Sequence, residues 1–212
     1  MTEKERIILA VEGLKKEFPD AVCSLDYKNP YELLIATRLS AQCTDARVNI
    51  VTPALFEKYP DCYCLSQAEL ADVEELIKTC GLYKSKAKDL IGIGKMLSDE
   101  FGGVVPDTVE ELTRLPGVGR KTANLVCGDI YKKPAVVTDT HFIRICNRLG
   151  FVKTKDPLKV EMKMKKLLPP QESNDFCHRC VLFGRTVCTA RKAYCSDCVL
   201  SDFCPKKFPK KV

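Results

Sequence analysis

Leu115-Pro116-Gly117-Val118-Gly119-Arg120-Lys121-Thr122-Ala123 decides how the rest of this 212-residue chain is read. Before it, Thr108 to Leu115 carries a short helical pattern, opened by Asp107 or Thr108 and acidic in its first turn at Glu110 and Glu111. After it, Lys121 to Ile130 carries another, with Ala123, Val126, Cys127 and Ile130 at helical spacing. Pro116-Gly117-Val118-Gly119 demands a tight reversal between the two, because two glycines can take positive φ and remove side-chain bulk. The expected product is a pair of helices joined by a hairpin, with backbone amides directed outward where the second helix starts. Such a helix start attracts an anion, and phosphate is the natural candidate.

Outward from this element the chain reads as helix nearly throughout. Thr2 and Glu5 form a capping box, and Ile7, Ile8, Val11, Leu14 and Phe18 are expected along one face of the first helix. Asn29 caps and Pro30 opens a second, ending near Leu39. Ser40-Ala41-Gln42-Cys43 interrupts, and Thr44-Asp45 starts a helix toward Tyr59, with Pro53 as a possible kink. Ser66 with Glu69 signals another start, Gly81 ends that pattern, and Lys84 to Phe101 is a longer helix closed by Gly102-Gly103. Beyond the hairpin, Ala135-Val136-Val137 is an extended link, and Thr138 or Asp139 caps the next helix. Asp156-Pro157 opens another, which Pro169-Pro170 ends, and a last one runs from about Ser173 to Val187. The fold class expected is all-α.

Bulk properties narrow the function classes. With 45% hydrophobic residues the chain can form one compact unit or two small lobes with real cores. No run approaches the roughly eighteen apolar residues of a membrane span, and the charged first helix is no signal peptide. The net charge is +6, and from Arg185 to Val212 seven basic residues face only Asp197 and Asp202. That segment offers a face to a polyanion, with Lys206 to Lys211 readable as a solvated basic tail.

Thirteen cysteines in a chain without secretion features argue for thiolate ligands rather than a disulfide framework. Cys188, Cys195, Cys198 and Cys204 stand as C-x6-C-x2-C-x5-C, in a loop too short to hold a core and suited to being ordered by a metal. Spacing alone leaves zinc open, and also a second quartet, Cys177, Cys180, Cys195 and Cys198. The first quartet is preferred, because Cys177 and Cys180 fall inside the last helical pattern, where an i,i+3 pair can simply share a buried face.

The hairpin with its lysine, the cysteine spacing, and Val137-Thr138-Asp139-Thr140-His141 together resemble the endonuclease III family over almost the whole chain. The resemblance implies a six-helix barrel at residues 23–134, holding the helix-hairpin-helix at about 108–131. It implies a second lobe from 1–22 plus 135–212, with one [4Fe–4S] cluster in the loop 188–204. It implies a cleft with Lys121 on one wall and Asp139 on the other. Leu39-Ser40-Ala41-Gln42 and Gly81-Leu82-Tyr83 resemble the family's DNA-inserting loops, with Gln42 filling the hole of a flipped base and Leu82 wedging into the opposite strand. Gly117, Gly119 and Arg120 in the hairpin, and Arg191 and Lys192 between the first two cluster cysteines, would hold phosphates. One departure stands out: members usually carry a histidine before the Gly-Arg that precedes the first cluster cysteine, and here Phe183 precedes Gly184-Arg185.

By the same resemblance Lys121 is the nucleophile of a bifunctional DNA glycosylase and apurinic/apyrimidinic lyase acting on oxidised pyrimidines. An amine that displaces the base leaves an imine, through which the strand is cut by β-elimination. Asp139 would activate the lysine or stabilise positive charge developing on the sugar, besides capping its helix. His141 is assigned to structure near Asp139, and His178 shows no evident partner. Competing readings are a non-catalytic DNA-binding module with a structural metal, which gives Asp139 no task, and a monofunctional mismatch glycosylase, which Lys121 disfavours. The partner expected is double-stranded DNA with damaged bases or abasic sites, bound by a monomer in a bacterial-type cytoplasm.

Overall fold

The computed structural model describes residues 1–205. Among them stand eleven α-helices: α1 Glu3–Glu17, α2 Pro30–Leu39, α3 Asp45–Lys58, α4 Cys62–Ser66, α5 Leu70–Ile77, α6 Tyr83–Glu100, α7 Val109–Leu112, α8 Arg120–Asp129, α9 Thr140–Arg148, α10 Pro157–Leu167 and α11 Ser173–Thr186. The described residues form no strand beyond one isolated antiparallel bridge, Cys188 to Ala193. The class is all-α, as expected. The basic stretch Lys206–Lys211 lies outside the described residues.

The chain divides into two compact units, 23–132 and 1–22 with 133–212. In the first, α2 packs on α3, α6 and α8, while α6 also packs on α4 and α5. Its core is aliphatic, with Leu33, Leu34, Ile35, Val48, Leu55, Leu90 and Ile93 fully buried. In the second, α11 packs against α1 and α9. Phe142 and Phe176 meet edge to face there at 6.1 Å between centroids, and Phe18 meets Phe183 at 6.4 Å.

Local chemistry sets most helix starts. Thr2 and Glu5 close the capping box in both directions, at 2.7 and 3.2 Å. Asn29, Thr44, Thr108, Asp139 and Asp156 each accept a backbone N–H two or three positions into their helices. Two expectations fail. Ser66 does not open α5: it closes α4, its hydroxyl donating to the Tyr63 carbonyl at 2.7 Å. Asp61 caps that extra turn, accepting from Cys64 N at 2.8 Å, and α5 starts at Leu70 with no side-chain cap. In α1 the buried stripe is Ile7, Ala10, Val11 and Leu14, whereas Ile8 is 41% exposed. Ile8 is turned about 100° from Ile7, which carries it off the apolar face.

Candidate active site

The hairpin is built by unlike glycines. Gly117 has φ +67, and a Cβ there would run into the Arg38 guanidinium and stand 2.6 Å from an Asp89 carboxylate oxygen. Arg38 Nε donates to Asp89 Oδ2 at 3.0 Å, and Nη2 donates to the same oxygen, so an ion pair fills the space under the turn. Gly119 does not take positive φ: at φ −91 and ψ 172 it is extended backbone, the N-cap of α8. A Cβ on Gly119 would meet nothing within 4 Å. The missing side chain therefore leaves room outside the protein, in front of the first amides of α8, which have no side-chain cap. Leu115 and Val118 are buried and anchor the turn from within.

Lys121 is the second residue of α8 and is exposed, with Arg120 half-buried before it. One turn on, Asn124 is buried and its amide donates to Arg120 O at 3.0 Å, which pins the backbone under the exposed lysine.

Gln42 and Leu82 share a conformation that sequence patterns do not reveal. Both are non-glycine residues in the left-handed region, at φ 54 and φ 60, and both side chains are exposed, Leu82 by 60%. Leu82 is the N-cap of α6 and has no side-chain bond to hold it. A leucine placed in a costly conformation and pointed at solvent gains nothing from its own fold; such strain collects at ligand-contacting positions. The two loops are neighbours, for a Cβ on Gly81 would lie 3.1 Å from Gln42 O.

In the other unit, Asp139 caps α9 through Oδ1, which accepts from Phe142 N at 2.6 Å. The backbone that delivers it, Ala135 to Thr138, is buried. Burial pushes the pKa of His141, two residues on, down, against the opposing charge of Asp139. Its Nδ1 lies 3.2 Å from Arg144 Nη2, which also donates to Gly184 O at 2.7 Å. A Cβ on Gly184 would stand 2.7 Å from that guanidinium and 2.8 Å from His141, so the glycine permits α9 and α11 to close together. His178, for which no partner is evident in the sequence, is not without one in the fold.

Cys188, Cys195, Cys198 and Cys204 line one cavity of about 20 Å³, walled by Ile145, Leu149, Phe183 and Val187. Phe183 thus presents an aromatic apolar wall to the cysteine pocket. Burial first, then the charges of Cys188, Cys204 and Cys195, push the Cys198 thiol up. Four thiols crowded against apolar walls resist ionising together unless a cationic centre takes them, and in this respect the donor set fits a metal group. Among the described residues no three His, Cys, Asp or Glu side chains converge as a site for one metal ion. The four cysteines line a common space, and a metal group bound there would take its ligands from them. Cys177 and Cys180 lie buried in α11, where Cys177 Sγ donates to Ser173 O at 3.1 Å and accepts from Val137 N at 3.3 Å.

Arg148, buried in α9, binds the start of this loop. Its Nη1 donates to Cys188 O, Cys188 Sγ and Thr189 O at 3.1, 3.1 and 2.7 Å, and Nη2 donates to Ala190 O at 3.3 Å. The Cys188–Ala193 bridge closes a tight hairpin behind it, and Arg191 and Lys192 stand exposed at its tip. The Lys192 ammonium sits 4.8 Å over the Tyr194 ring.

Comparison with known proteins decides the family. Residues 35–170 match the model of the HhH-GPD superfamily of base excision DNA repair proteins. The chain is 46% identical to the endonuclease III of Synechocystis sp., over 96% of this chain and 94% of that protein. The chain belongs to the endonuclease III family. To the Escherichia coli endonuclease III it is 39% identical over 92% of each chain. A solved structure of a trapped endonuclease III–DNA covalent intermediate superposes with a TM-score of 0.90, at 43% identity and 97% coverage of both chains. As an endonuclease III family member the protein is a base-excision repair enzyme, a DNA glycosylase and lyase.

Proposed function

We propose that this endonuclease III family protein removes oxidised pyrimidines with Lys121 as nucleophile and Asp139 as its charge-stabilising partner. The observation that carries the reading is Lys121 itself: an exposed amine in the first turn of a helix whose uncapped start and open Gly119 leave room for a DNA phosphate. A backbone held there brings a sugar within reach of the amine. The amine attacks the sugar C1′ and the base leaves with the bonding electron pair; the nitrogen then gives up its protons as the C1′–O4′ bond breaks, one proton passing to O4′, and an imine to the opened sugar remains. Loss of a sugar proton then expels the 3′ phosphate by β-elimination. Asp139 uses Oδ1 to hold α9, and its other oxygen is the one for the reaction, facing positive charge as it develops on the sugar.

Gln42 and Leu82 fill the space of the extruded nucleotide and part the opposite strand; their exposed left-handed placement supports that use. Arg191 and Lys192, at the tip of a loop tied down by Arg148, grip phosphates. Cys188, Cys195, Cys198 and Cys204 would hold a [4Fe–4S] cluster, whose contribution is to order this loop. The protein acts as a monomer on double-stranded DNA, in the cytoplasm, in association with the nucleoid. Among the described residues no helix is long and apolar enough to cross a membrane.

Borohydride added during turnover tests the assignment. It should reduce the imine and leave the protein covalently joined to damaged duplex, and Lys121→Ala should abolish both adduct and strand cutting while keeping much of the DNA affinity. An adduct that survives Lys121→Ala would move the nucleophile elsewhere.

A further inference from the structure

The two loops that carry Gln42 and Leu82 each carry a cysteine beside the exposed residue: Cys43 follows Gln42, and Cys80 precedes Gly81-Leu82. Nothing in the repair chemistry uses either thiol. The loops touch at this point, since Gln42 O is 3.1 Å from where a Gly81 Cβ would stand. That contact brings the chain positions of Cys43 and Cys80 together, and burial first, then the nearby Cys43 thiol, push the Cys80 thiol up to about 11. Cys80 is 1% exposed, whereas Cys43 is half-buried and open to a reagent. Lys86, fully buried beside them, donates from Nζ to Leu39 O at 2.8 Å; burial draws its pKa down, against the charges of Cys43 and Cys80.

We propose that Cys43 and Cys80 form a redox modification site, a thiol pair that low-molecular-weight disulfides convert into a cross-link between the two DNA-inserting loops. The proposal rests on the reading of Gln42 and Leu82 given above. The Cys43 thiolate attacks one sulphur of glutathione disulfide, forming a mixed disulfide and releasing one glutathione thiolate. Cys80 then attacks the Cys43 sulphur, expels the second glutathione thiolate and passes its own proton to it. Two protein thiols are oxidised, one glutathione disulfide is reduced to two thiols, and no other reagent is needed.

The cross-link joins the residue after Gln42 to the one two before Leu82, so it holds the two loops at their separation in the free protein. Entry into DNA requires one loop to fill a vacated stack while the other parts the facing strand, which kinks the duplex between them. Loops tied together cannot follow that distortion. Oxidation therefore switches base excision off, and reduction restores it.

The intact holoprotein, equilibrated in buffers of graded glutathione to glutathione disulfide ratio, tests this. Peptide mapping without reductant should find residues 43 and 80 in one linked pair, with the visible absorbance of the iron–sulfur chromophore unchanged. Excision from a damaged duplex should slow about tenfold in the cross-linked form and recover with dithiothreitol, the loss expected when an inserting side chain no longer enters the stack. Cys43→Ser should give no linked pair and the same rate in both buffers. Absence of the 43–80 pair at the most oxidising ratio would overturn the proposal, and so would a cross-linked protein that excises as fast as the reduced one. Failure of the loop reading shows differently: Gln42→Ala and Leu82→Ala would then leave the reduced rate unchanged although the cross-link still forms, which would overturn the switch while leaving the thiol pair established.

Discussion

Alanine at Gly117 and alanine at Gly119 should damage this protein in opposite ways. At Gly117 the backbone is left-handed, which costs a residue with a Cβ about 1–2 kcal/mol. The added methyl would also collide with Arg38 and Asp89, whose side chains are only 12% and 22% exposed, so their ion pair must open. Opening it adds roughly 1 kcal/mol, discounted for that residual exposure. A total of about 2–3 kcal/mol corresponds to a Tm lower by roughly 5–10 °C for a chain of this length. At Gly119 the conformation is one any residue adopts and the space is open, so alanine should cost only the poorer N-cap, about 0.5–1 kcal/mol. Its methyl would instead stand in front of the α8 amides and hinder a phosphate. Gly119→Ala should melt within about 3 °C of the parent yet bind duplex DNA less tightly, while Gly117→Ala should melt much earlier. Scanning calorimetry and fluorescence anisotropy on one abasic duplex separate the two. Equal loss of Tm in both variants, or Gly119→Ala binding DNA as the parent does, would refute the assignment of turn geometry to one glycine and phosphate approach to the other.

Asp139→Asn keeps a capping oxygen for Phe142 N and removes the charge; base release should slow by about 10²–10⁴, with a smaller effect on cutting a pre-formed abasic site. Single-turnover assays on the two substrates check the difference. Serine at any one of Cys188, Cys195, Cys198 or Cys204 should bleach the protein, whereas Cys180→Ser should keep its colour; visible spectra and iron assay decide. Arg191→Ala with Lys192→Ala should weaken binding to all sequences alike and flatten the salt dependence by about two ions' worth, measured as affinity against salt concentration.

What the sequence made legible was short-range. Thr2, Asn29, Asp139 and Asp156 cap their helices with bonds that span three residues or fewer, so the residue type and the pattern after it suffice. Short range also misled: Ser66 and Glu69 have the spacing of a capping box, but five residues from Cys62 are too few for a periodic pattern to announce α4. Hidden altogether were features fixed by tertiary packing. No propensity puts a glutamine or a leucine in the left-handed region, and the hairpin's two glycines differ only because Arg38 and Asp89 come from other helices to fill the space under one of them. Likewise, the spacing of Cys188 to Cys204 suggested a common site, but the apolar walls that crowd those thiols come from α9 and α11, and the hold of Arg148 on the loop is built across about forty residues. The approach of the loop carrying Cys43 to the one carrying Cys80 was invisible for the same reason.

Asp139 braces the first turn of α9 and, in the reaction proposed, faces the sugar, and both tasks fall to one carboxyl group. Mutational drift at this position pulls the two tasks apart. Serine or threonine would preserve the helix start and silence the chemistry; glutamate would keep a charge but carry it one methylene too far for the same cap. A duplicated copy of this protein released from selection should therefore lose catalysis first while remaining folded and able to bind DNA, a decoy that occupies lesions without repairing them.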